Sequence, residues 1–185
     1  MPDVEALLAE LARWSADARA DEAVRARMRE RGLRKQAEED ARFAGVALDL
    51  AEAGAAVAVR LASGRTLHGR LAAVGRDFCV LDPGGGPATF VAVRAITTVR
   101  PAPDYRARPA ASERGAPLDA ALADVLAELV GDRPRVRVVT EGGGEGLTGQ
   151  LTTVGADVVT VRLDGEQGAA VYVRLDSIRE VALLG

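Results

Sequence analysis

A short pattern occurs twice in this chain. It reads Leu67-x-Gly69-x-Leu71-x-x-Val74-Gly75-x-Asp77 and again Leu147-x-Gly149-x-Leu151-x-x-Val154-Gly155-x-Asp157. The apolar, glycine and aspartate positions coincide while the polar positions between them drift. A duplicated unit constrains a fold more than any single residue, because each copy must be one supersecondary piece that stacks on its neighbour. Each copy is short for a self-sufficient core, so each is expected to lean on a helix, on its twin or on another subunit.

The period of the apolar residues organises the rest. Residues 3 to 53 carry helix formers and no proline, with Leu7, Leu11, Trp14 and Ala18 on one face. Val24 and Met28 extend that stripe, and Gly32 marks a kink or break. Phe43, Val46, Ala47 and Leu50 form a second apolar face that ends near Gly54. From Val57 the period becomes two. Strands are predicted at 57–61, 66–74, 78–81, 89–93 and 96–99. A Pro/Ala-rich linker follows, then a short amphipathic helix through Leu118, Leu122, Val125, Leu126 and Leu129 that ends at Gly131. Five more strands are predicted at 136–140, 147–154, 158–163, 170–175 and 178–183. Aligning Val91-Ala92-Val93-Arg94 with Val171-Tyr172-Val173-Arg174 makes Leu175 and Asp176 an insertion. The alternative places the insertion earlier.

Composition narrows the chemistry. The 185 residues carry a net charge of −3, which argues against generic binding to phosphate-rich partners. Lys35 is the only lysine, and one cysteine and one histidine leave neither a disulfide nor a His/Cys metal cluster. No metal or cofactor is expected. The N-terminus lacks the regions of a signal peptide and no apolar run spans a bilayer, so a cytoplasmic location is expected.

The candidate residues have sharp and plain readings. The basic run Arg25, Arg27, Arg29, Arg31, Arg34 and Lys35 is a nucleic-acid contact or, more plainly, a solvated face neutralised by Glu38, Glu39 and Asp40. His68 stands alone on a strand. Cys79 lies in an apolar run and reads as core. Asp77 and Asp157 follow turn glycines, where aspartate commonly bonds local backbone N–H groups. The runs Gly84–Gly86 and Gly142–Gly144 open no helix and are not phosphate loops. Leu7, Leu11 and Trp14 are the candidate partner surface.

The segment Val57-x-Val59-x-Leu61-x-x-Gly64-x-x-Leu67-x-Gly69-x-Leu71, with Phe78-Cys79-Val80-Leu81 and Arg94-Ala95-Ile96-Thr97-Thr98-Val99-x-Pro101, resembles the Sm-like fold, including the bacterial host-factor RNA chaperone. The chain is also similar to small actinobacterial proteins in which a charged helix precedes one such barrel. The resemblance implies a mainly β (α+β) protein. Its parts would be a helical segment (1–54), a first five-stranded Sm/SH3-like barrel (55–101), a linker (102–117), and a short helix plus a second barrel (118–185). It further implies association by pairing of the fourth strand of one barrel with the fifth of the next. Departures weaken an inherited RNA site. The family's uridine-binding Asp and Asn positions hold Gly75 and Cys79, then Gly155 and Val159. Its basic pair becomes Val93-Arg94, then Val173-Arg174 or Leu175-Asp176. The expectation is a non-enzymatic binding or scaffold module that self-associates or binds a protein partner. The alternative is a nucleic-acid-binding regulator using the basic run and Arg94.

Overall fold

A computed structural model describes residues 22, 24–32, 35, 42–106, 118–142, 144, 146–165 and 168–184. Contacts divide the chain into residues 1–41 and 42–185. In the first unit, residues 24–32 are helical, so Gly32 is itself helical, and Val24 and Met28 are exposed. The second unit holds both repeats, and the boundary between units falls before the helix at 43 rather than after it.

The second unit begins with helix α1 (Phe43–Glu52), which buries Ala47 and Leu50. Strands β1 (Ala56–Leu61), β2 (Thr66–Val74), β3 (Phe78–Asp82), β4 (Thr89–Ala92) and β5 (Ile96–Pro101) complete the first repeat. Helix α2 (Leu122–Leu129) and strands β6 (Arg135–Thr140), β7 (Leu147–Val154), β8 (Val158–Leu163), β9 (Ala170–Arg174) and β10 (Ile178–Leu183) form the second. Most strands fall where alternation of apolar residues predicts them. Residues 93–95 and 175–177 are short 3-10 turns instead of strand ends.

The expected pair of barrels is not formed. All the strands among the described residues join one open antiparallel sheet of ten, ordered β5-β1-β2-β3-β4-β10-β6-β7-β8-β9. The fold is therefore not a helical segment followed by two closed barrels. Within each repeat the fifth strand returns to pair with the first, as β5 with β1 and β10 with β6. The fourth strand of the first repeat then finds the fifth strand of the second, β4 on β10, and fuses the two into one sheet. Pairing of that fourth edge by the twin satisfies its backbone groups without closure on itself.

Both repeats share their irregularities, which fixes their correspondence. The ladder shifts between Leu71 and Ala73 and between Leu151 and Thr153. Gly69 and Gly149 sit mid-strand because a β-carbon there would lie 2.3 Å from the Asp82 carbonyl oxygen and 2.1 Å from that of Arg162. Register also corrects the alignment. Cys79 faces Val91, whereas its counterpart Val159 faces Val173. Phe90 therefore corresponds to Tyr172, Val91 to Val173 and Arg94 to Asp176. The extra residues of the second repeat lie in the β8–β9 hairpin, and Leu175-Asp176 takes the place of Val93-Arg94.

Candidate functional site

The junction of the repeats has the most developed chemistry among the described residues. At its centre Glu180, Val181 and Ala182 of β10 lie opposite Val91, Phe90 and Thr89 of β4. The aromatic pair Phe78–Phe90, with centroids 5.8 Å apart, belongs by sequence to the first repeat. It packs nevertheless into the core of the second, with Leu122, Leu126, Val136 and Val181. Burial of two aromatic rings across the joint makes it a hydrophobic seam, where each ring contributes on the order of 2–3 kcal/mol.

Polar anchors flank the seam. Glu180 is 2 % exposed and receives Arg65 Nη1 at 3.1 Å from the β1–β2 turn. Burial pushes the Glu180 carboxyl above the usual glutamate range, and the charges of Arg65 and Arg137 pull it part of the way back. Arg94 Nη2 donates to the carbonyl oxygens of Leu175 at 2.8 Å and Ile178 at 2.9 Å. A cleft of about 430 Å³ opens here, lined among others by Ser63, Arg94, Glu141, Arg179 and Glu180. Its cations are occupied: Arg179 Nη2 lies 2.7 Å from Glu141.

A second contact ties α2 to the first repeat. The residue before α2 is Ala121, whose side chain has no acceptor for the free N–H groups of the first turn. Asp77 supplies it across the joint, accepting from the Leu122 N–H at 2.8 Å. The Leu118 N–H donates to the Val74 carbonyl and the Arg76 N–H to that of Ala120, while Arg76 Nη2 lies 2.9 Å from Asp124. The aspartate after the turn glycine therefore serves the neighbouring repeat rather than its own turn. Only the tertiary pairing discloses this, because Asp77 and Leu122 are far apart in sequence.

The other candidate residues separate clearly. Leu7, Leu11, Trp14 and Arg34 lie outside the described residues. Arg25, Arg27, Arg29, Arg31 and Lys35 are helical and exposed. Arg94 is on the junction rather than on a free rim. His68 is exposed on β2 and lines a shallow cleft of about 510 Å³ with Arg70, Asp82 and Arg100. Cys79 is 1 % exposed, and desolvation raises its thiol pKa to about 11, which suits a core residue and not a nucleophile. No group of acidic, His and Cys residues that could hold a metal occurs among the described residues.

Sequence reasoning missed three joint residues, namely Arg65, Glu180 and Phe90. Glu180 carried a detectable signal: it is an acidic residue within the apolar run Ile178-x-x-Val181-Ala182-Leu183.

Among the described residues, two strands of the sheet pair on one side alone. They are β5, the fifth strand of the first repeat, and β9, the fourth strand of the second. On β9, Tyr172 is 74 % exposed, whereas its counterpart Phe90 is 7 % exposed. On β5, Thr98 and Arg100 are exposed and Val99 is half-buried, whereas Glu180, Val181 and Ala182 are buried.

The fold and this site together define a class, an open antiparallel sheet made of two fused repeats whose end strands each pair on one side among the described residues. No family model, curated protein or solved structure matches the chain. No helix among the described residues is long and apolar enough to cross a membrane.

Proposed function

We propose that this chain is a non-enzymatic, cytoplasmic binding or scaffold module that works through protein contacts at its sheet edges. One observation carries the reading: the structure is joined inside by a strand pairing whose two partner elements recur at its outer ends, where no described strand pairs with them. An unpaired strand presents a row of N–H and C=O groups that another strand can satisfy. The helix-then-five-strands order, found twice, supports kinship with Sm-like proteins in this reading. Diversion of Arg94 to backbone carbonyls weighs against a nucleic-acid surface at the junction.

The test is photo-crosslinking in cells, with benzoylphenylalanine placed singly at Thr98 and at Tyr172. Protease-sensitive, nuclease-resistant adducts at either edge are expected. Adducts destroyed by nuclease would overturn the reading in favour of nucleic-acid binding. The same alternative requires that RNA binding, followed by anisotropy, weaken steeply with added salt and on loss of the Arg25–Lys35 cluster.

A further inference from the structure

The two repeats use one face of their first hairpin differently. Val57 and Val59 of β1 point into the core, so Ala56 and Ala58 lie on the opposite face. In the first repeat the register sets Ala58 between His68 of β2 and Arg100 of β5. One step along, Ala56 lies beside Arg70, which in turn faces Asp82 of β3. In the second repeat Arg137 holds the place of Ala58, between Thr148 and Ala182. Arg135 likewise holds the place of Ala56, beside Gln150, which faces Arg162. The first repeat therefore has a small apolar floor between cationic walls, and the second has a cationic floor between neutral walls.

The consequence is a hollow in one repeat and a filled surface in the other. Arg137 is half-buried, and its Nε is shielded from solvent. Two methyl groups leave the same place open in the first repeat. The result is the cleft of about 510 Å³, within the size range of small-molecule sites. The fold does not demand this hollow, since its duplicate closes it with one long side chain.

The walls carry uncommitted donors. His68, Arg70 and Arg100 are exposed. The side chains of His68 and Arg100 make no hydrogen bond or ion pair among the described residues. Arg70 Nη1 donates to the Gly54 carbonyl, which fixes that guanidinium. Asp82 lies on the side away from Arg100, across β1 and β2, and its Oδ1 accepts from the Gly84 N–H at 2.8 Å. Its carboxylate offsets one of the two arginine charges, so a single negative charge balances the site. Pro83 and Pro103 add apolar surface to that of the alanines.

We propose that this cleft binds a small organic monocarboxylate with an apolar body. His68 and Arg100 stand two strand spacings apart, about 10 Å between their Cα atoms, with only the Ala58 methyl between them. A carboxylate seated over Ala58 accepts from the imidazole N–H on one side and from the guanidinium fork on the other. The apolar body lies over Ala56 and against the prolines. Asp82 repels a second negative charge, which disfavours polyanions. The cleft is shallow, so binding is weak and reversible, with a dissociation constant on the order of 1 mM for a small probe. The site does not depend on the sheet-edge contacts proposed above.

The test is a titration of the full chain with sodium benzoate at constant pH. His68 is the only histidine, so the chemical shifts of its ring protons report this place alone. A saturable shift is expected with benzoate and none with benzamide, which keeps the ring and lacks the charge. Arg100→Gln weakens the saturation at least ~10-fold, as for loss of a charge-assisted hydrogen bond. Arg162→Gln removes the same charge from the second repeat and leaves the titration unchanged. Ala58→Met fills the floor as Arg137 does and abolishes the shift. Arg100 is exposed, so Arg100→Gln is expected to keep the wild-type circular dichroism even if Ala58→Met does not.

A shift that grows without saturating overturns the inference. So does an equal response to benzamide, or wild-type saturation in Arg100→Gln. Tighter saturation by inorganic phosphate than by benzoate also overturns it, because the walls would then select charge with no part played by the apolar floor.

Discussion

The two ends of the duplication are built from the same elements and meet different fates. Where the first repeat abuts the second, the aromatic on the fourth strand is buried, the turn aspartate caps a helix, and the fifth strand has neighbours on both sides. At the outer ends the corresponding aromatic and aspartate are exposed, and the fifth strand has a neighbour on one side alone among the described residues. The difference does not arise from local propensity, since β4 and β9 are short strands of four and five residues with an aromatic at the same register position. It arises from the presence of a neighbour. A residue's burial in a repeat protein is therefore a property of the joint it stands in.

Substitution at matched positions breaks or sharpens this comparison. The largest effect is expected at Phe78. Phe78→Ala removes a ring buried in the core of the other repeat and should cost about 3–5 kcal/mol, against about 1 kcal/mol for Val158→Ala at the outer end. Denaturant melts measure both, and equal losses would break the comparison.

The mid-strand glycines should behave oppositely, because their crowding lies inside each repeat. Gly69→Ala and Gly149→Ala push a β-carbon onto a carbonyl oxygen and should each cost about 1–3 kcal/mol. A large disparity between them would show that the repeats differ within as well as at their ends.

The aspartates come next. Asp77→Ala removes the acceptor for the first turn of α2 and should cost about 1 kcal/mol, whereas Asp157→Ala in the monomer should stay within about 0.5 kcal/mol. Thermal melts at low protein concentration separate the two.

The smallest effect is a change of slope with pH. Glu180 has its folded-state pKa raised by burial, so the folded protein holds this proton more tightly than the unfolded chain. The resulting stabilisation is complete below the ordinary glutamate pKa and is lost as pH rises through the raised value. Glu180→Gln removes that titration. Stability relative to wild type should therefore rise from acid to neutral pH, as read from denaturant midpoints at each pH. A flat difference would mean that Arg65 and Arg137 fully offset the burial.

Much of the local structure was legible. Alternation located the strands because a half-buried strand must alternate, and β2, β7, β8 and β10 fall at the residues read from sequence. Of the apolar face formed by Phe43, Val46, Ala47 and Leu50, Ala47 and Leu50 are buried, but Phe43 and Val46 are exposed. The periodicity of α1 reports a face suited to packing without reporting whether anything packs there. The alignment of β4 with β9 was misplaced by the strong match of Val91-Ala92-Val93-Arg94 to Val171-Tyr172-Val173-Arg174. Pairing to β3 and β8 corrected it, because a register is set by hydrogen bonds to a neighbour and not by similarity of side chains.

The candidate site was scarcely legible. The basic run and the Leu7–Trp14 face stood out in sequence because they are local patterns. The joint did not, because Arg65 and Glu180, Asp77 and Leu122, and Arg94 and Ile178 meet only through the fold. By itself the sequence determined the duplication, the strand positions and the glycines that each hairpin requires, all consequences of short-range sterics and alternating burial. Only the tertiary structure decided that the fourth strand of one repeat joins the fifth strand of the other. Every strand edge offers the same backbone donors and acceptors, and the choice among partners is made by the side chains that the pairing buries.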